Sequence, residues 1–103
     1  MSNKMLRQGD LLFILEEGTE EPGAKEIHDG ILVRGEATNH AHRIAVNDLD
    51  KVSVRQGTHL RLVVNQETRI IHEEHGSVVL TPGQWTVVRQ REWNSGMIRT
   101  VVD

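Results

Sequence analysis

Short apolar runs cut off by Gly, Pro or Asn constrain this chain more than any other feature of its sequence. Gly9-Asp10 precedes the continuous run Leu11-Leu-Phe-Ile-Leu15, a pattern suited to a strand buried on both faces. Residues 16–25 are polar, carry Gly18, Pro22 and Gly23, and read as an exposed loop. Further strands are expected at residues 31–33, more weakly at 40–46 and 52–55, and at 59–64, where Leu60, Leu62 and Val64 share one face. Residues 68–72, 78–80, 84–90 and 97–102 complete the series, with Pro82-Gly83 expected at the centre of a type II turn. No stretch of about ten residues keeps a helical apolar period without a breaker. Turn signals about every 8–12 residues predict an all-β fold: a small barrel or sandwich of about eight short, mostly antiparallel strands. At 103 residues the expectation is one domain over 1–103.

The aromatic residues are only Phe13, Trp85 and Trp93, so the core must rest on Val, Ile and Leu. The chain has no Cys, which excludes disulfides, thiolate chemistry and Cys-based zinc sites. A net charge of −3 with neutral His argues against binding nucleic acid through a general basic surface, although a local arginine cluster can still hold one phosphate. No run has the length of a membrane span and no signal peptide is evident, so a cytoplasmic protein without membrane partners is expected.

Against this background two histidine pairs stand out. They are His40-Ala-His42, with Glu36 upstream, and His72-Glu-Glu-His75, which holds Glu74 and is followed by Gly76. Imidazole is the commonest side-chain metal ligand and the natural acid or base near neutral pH. In an extended segment residues i and i+2 share a face at roughly 6.5–7 Å, so His40 and His42 can lean onto one ion. If the two segments neighbour each other in a sheet, His40, His42, His72 and His75 converge. They then either bind a divalent metal (Zn, Mn, Fe or Ni) or act as paired acid and base, with Glu36 or Glu74 orienting or accepting a proton. The bland reading is that each pair is a solvated polar face. His59 is expected to be exposed, opposite the apolar face of its strand.

Arginine supplies the planar fork that grips phosphate or carboxylate, and glutamine adds a neutral donor and acceptor. Arg7-Gln-Gly-Asp10 and Arg89-Gln-Arg-Glu-Trp93 therefore offer Arg91 for developing phosphoryl charge and Arg7, Gln8, Gln90 and Trp93 for substrate contact. Along a strand Arg89 and Arg91 share one face, and Gln90 and Glu92 the other. Ordinary charge alternation at an exposed strand end and a Trp that plugs the core are the competing readings.

These segments resemble a family of small bacterial and phage proteins of unknown function. The resemblance rests on Arg7-Gln-Gly-Asp10, Gly35-Glu-Ala-Thr-Asn-His-Ala-His-Arg-Ile44, His72-Glu-Glu-His-Gly76, Pro82-Gly83, Arg89-Gln-Arg-Glu-Trp93 and Arg99-Thr-Val-Val-Asp103. The chain departs from the family pattern at Asn39, where Gly is usual, and at Trp85 and Trp93, where Tyr is usual. The resemblance implies that both histidine pairs and the Gln-Arg-Glu stretch belong to one shared site, and it implies no activity. A weaker similarity to cupin barrels stops at architecture, because the order of the histidine and Pro-Gly motifs is reversed.

Three functions are consistent with these residues. The first is a metal- or histidine-dependent hydrolase of a phosphorylated or nucleotide-like substrate, working on a phosphodiester or phosphate. The second is a noncatalytic module that binds a nucleotide, an RNA or a partner protein. The third is a cupin-like metal-dependent oxygenase or isomerase. Pairing of an edge strand with a second copy would give a homo-oligomer.

Overall fold

Each turn signal leaves room for only three to seven residues of strand, and the computed structural model follows that limit. It describes residues 4–17, 21–34 and 40–90. Ten strands and one 3-10 helix succeed one another: β1 Met5–Gln8, β2 Leu11–Leu15, β3 Lys25–Ile27, β4 Ile31–Arg34, β5 Ala41–Ile44, the 3-10 helix Val46–Lys51, β6 Val52–Gln56, β7 Leu60–Val64, β8 Thr68–Ile71, β9 Val78–Leu80 and β10 Gly83–Arg89. They form two antiparallel sheets, one in the order β1-β2-β10-β7-β6-β3 and the other β4-β5-β8-β9. The fold is all-β, with both sheets closing on one core.

The core is aliphatic around two aromatic rings. Phe13 and Trp85 are fully buried among Leu11, Leu62, Ile70 and Leu80. Trp85 Nε1 donates to the Thr81 carbonyl at 2.8 Å, so its one polar atom is satisfied inside. The alternation of β7 is as its sequence predicts, with Leu60, Leu62 and Val64 buried. The continuous apolar run of β2 is buried on both faces: Leu11 and Phe13 belong to the main core, while Leu12 and Ile14 form a second cluster with Val88.

Three elements differ from the sequence reading. β1 forms although its residues carry no clear apolar alternation, because Gln8 is buried for its hydrogen bonds. β3 lies where a loop was expected to end, and its Lys25 and Glu26 are tolerated because it is a sheet edge paired only with β6. Gly83 opens β10 opposite Val64 at φ 143°, instead of occupying the centre of a type II turn. The strand expected at residues 97–102 lies outside the described residues.

The functional geometry depends on two junctions. β5 pairs β8 with Arg43 opposite Ile71 and Ile44 opposite Ile70. β1, at the edge of the larger sheet, reaches across to the smaller one: Gln8 Nε2 donates to the Ile70 carbonyl at 3.0 Å and to the Gly76 carbonyl at 2.9 Å.

Candidate functional site

The register of β5 on β8 decides which polar side chains meet. Carried one to three residues beyond Arg43 and Ile71, it sets His42 opposite His72, Ala41 opposite Glu73 and His40 opposite Glu74. Period-two geometry then puts His40, His42, His72 and Glu74 on one face. The contacts agree. The His42 and His72 rings lie 4.4 Å apart between centroids, His40 and His72 5.6 Å apart and edge-on, and His72 and His75 4.7 Å apart. His75 also lies parallel to His42 at 6.3 Å. The two histidine pairs therefore converge in space.

Hydrogen bonding assigns the proton positions. His72 Nδ1 accepts the backbone N–H groups of Glu74, at 3.1 Å, and His75, at 3.3 Å. That nitrogen must carry a lone pair, so neutral His72 bears its hydrogen on Nε2. His40 is set the opposite way. Its Nδ1 lies 3.0 Å from Glu74 Oε1, close enough for an electrostatic contact although not aligned as a regular hydrogen bond. A carboxylate only accepts, so the contact favours the tautomer with the hydrogen on Nδ1 and the lone pair on Nε2. His40 is about a quarter exposed at its side chain, and Glu74 about half.

His42 lies deeper, at 2% exposure. Its Nδ1 is 2.9 Å from Gln8 Oε1. The Gln8 amide nitrogen already faces two carbonyls, so the oxygen must accept and His42 Nδ1 donates. His42 Nε2 is turned toward Asp10 Oδ1 at 3.8 Å, beyond hydrogen-bond range but within electrostatic reach. Gln8, expected to touch a ligand, is itself 2% exposed with its amide fully engaged; it orients His42.

Glu73 clamps the site from outside. Its carboxylate accepts the Ala41 backbone N–H, with oxygens at 3.1 and 3.2 Å, and pairs with Arg43. The Ala41 hydrogen bond, helped by its own backbone N–H and the charge of Arg43, holds its carboxyl below the usual glutamate range.

Arg7 is not part of this cluster. In β1, Met5 and Arg7 face outward while Gln8 faces inward, so Arg7 points away from the histidines. Its guanidinium bonds Gln90 Oε1 and the Gly9 carbonyl. Gln90 is held beside the same turn, its backbone N–H donating to the Asp10 carbonyl at 2.7 Å. Glu36, Arg91 and Trp93 lie outside the described residues. His59, just before β7, is exposed.

The sequence reading missed Asp10, which it treated only as part of a turn, and the His72-x-Glu74 spacing. That period-two pair, more than His72-x-x-His75, is what matches His40-x-His42 across the ladder.

The donor set was also compared with the needs of a metal. Among the described residues no three His, Asp or Glu side chains are placed to share one ion. His72 Nδ1 is closed by two backbone donors, and His42 Nδ1 by Gln8. Among the described residues no helix is long and apolar enough to cross a membrane.

No curated protein and no solved structure matches the chain. Residues 7–90, which span the Arg7-Gln8 start, both histidine pairs and Gln90, match a family model described as "Domain of unknown function (DUF8820)", and the chain belongs to that family.

Proposed function

We propose that this protein is a histidine-dependent hydrolase of a phosphorylated or nucleotide-like small molecule. The observation that supports this most directly is Glu74 Oε1 lying 3.0 Å from His40 Nδ1, beside a second ring, His72, whose Nδ1 accepts two backbone N–H groups. The first contact favours a lone pair at His40 Nε2 and the second an N–H at His72 Nε2. A carboxylate on the far nitrogen of an imidazole is the arrangement that orients a general base and stabilises the imidazolium it becomes.

In the proposed reaction His40 Nε2 takes a proton from water as the water oxygen attacks phosphorus. The phosphorus–oxygen bond to the leaving group breaks, and the His40 imidazolium returns the proton to that oxygen. His72 keeps the Nδ1 lone pair on two backbone N–H groups, which leaves its Nε2–H as the donor. It therefore stabilises developing negative charge as a hydrogen-bond donor and does not protonate the leaving group. Glu74 holds His40, and Gln8 and Asp10 hold His42, whose ring packs against that of His72. No step runs through a metal.

Hydrolysis of bis(4-nitrophenyl) phosphate tests the proposal. His40→Ala and His72→Ala should each lower the rate by about 10²–10⁴-fold, the usual span for a positioned acid–base group, and EDTA should leave it unchanged. Retained turnover in both variants would remove the proposal, and loss of turnover in EDTA would restore a metal. A noncatalytic module for the same ligand class is the second reading, favoured by the depth of His42 and Gln8. It predicts ligand retention without product.

A further inference from the structure

The reading above lacks a group that grips the anion, since Arg7 points elsewhere. A cavity of about 320 Å³ opens where β4 and β10 end. That volume lies at the lower end of the roughly 300–1,000 Å³ typical of small-molecule sites. Its floor includes Leu11, Leu32, Leu60 and Val87, and Arg34, Arg89, Gln56 and Thr58 stand around it.

Three observations give it a character. Two arginines from different sheets, Arg34 on β4 and Arg89 on β10, line the same space. No carboxylate is among the described residues that line it, in a chain with 15 Asp and Glu against 12 Lys and Arg. By contrast, the cavity on the outer face of β6 and β7 includes Glu21, and the one beside β3 includes Glu26.

The third observation is position. Arg34 pairs with Ala41, between His40 and His42, and Val33, which lines the cavity, pairs with His42 itself. Arg89 pairs with Leu11, the neighbour of Asp10. Each arginine is thus paired with the chain neighbour of a residue in the histidine cluster.

We propose that this cavity is the anion site of the protein and takes a phosphate ester of mononucleotide size or smaller. The Arg34 and Arg89 forks face its phosphate, Gln56 and Thr58 its hydroxyl groups, and the aliphatic floor its carbon skeleton. As the substrate pocket of the centre described above it rests on the hydrolase reading; as a binding site it stands alone.

Isothermal titration of the full chain at low ionic strength, with AMP and 4-nitrophenyl phosphate as probes, tests it. At least one probe should bind, and Arg34→Gln or Arg89→Gln should each weaken it tenfold or more. Adenosine and inorganic phosphate should each bind at least tenfold more weakly than AMP, a comparison on the unmodified chain that needs no variant to fold. Failure of both probes at millimolar concentration, or equal affinity in Arg34→Gln/Arg89→Gln, overturns the proposal. Arginine-dependent binding without turnover supports this site and removes the hydrolase; turnover indifferent to both arginines does the reverse.

Discussion

At the scale of single residues, Gln8 and Glu73 do structural work that fixes the chemistry of their neighbours. Gln8 connects the Ile70 and Gly76 carbonyls to His42 with one amide. Gln8→Ala orphans buried donors and acceptors, each costing about 1–3 kcal/mol. The variant should lose at least about 2 kcal/mol in urea denaturation, and an unchanged midpoint would show that the bridge is slack. Glu73 gives a dependence on acid. Its folded-state pKa lies below the usual value because the Ala41 N–H, and after it its own backbone N–H and Arg43, favour the carboxylate. Its stabilisation is therefore complete above the unfolded value of about 4.3 and is lost as pH falls through the lower folded value. Denaturation midpoints measured down the acid limb should fall more steeply for the parent than for Glu73→Gln in that window, and parallel curves would contradict the assignment.

At the scale of elements, burial pattern was legible in the sequence and hydrogen-bonded purpose was not. β2 and β7 announce themselves because apolar continuity and alternation report directly on one or two buried faces. β1 does not, since its inward residue is a glutamine placed for its bonds. β3 does not, since an edge strand needs little apolar surface. The histidine pairs were visible as a cluster, yet only the β5–β8 register shows that His40 answers Glu74 and His42 answers His72. Cross-strand partners 30 residues apart leave no local trace. Gly83 shows the same limit: at φ 143°, an added Cβ would lie 2.8 Å from Leu15 Cδ1. Gly83→Ala should cost about 1–3 kcal/mol through backbone strain and this contact. Thermal denaturation indistinguishable from the parent would mean that the strand start relaxes freely.

At the scale of the whole molecule, two sheets of unequal width share one core, and the site sits where the edge of one crosses to the other. Of the outer strands, β3 and β9 have three residues each, and β4 is interrupted by a bulge between Ile31 and Val33. Since Gln8 belongs to one sheet and His42 to the other, proton positions in the site depend on the sheets having met. In refolding followed by circular dichroism and by turnover, activity should never return before the strand signal; activity in a chain lacking that signal would show that the histidines assemble locally. The ladder between β5 and β8 carries this further. A slip of one residue would leave a sheet with nearly the same number of backbone bonds but would turn His72 and Glu74 to the side opposite His40 and His42. A mispaired chain can thus look folded to spectroscopy while its histidines no longer meet, so on the hydrolase proposal turnover reports correct pairing more sharply than strand content does.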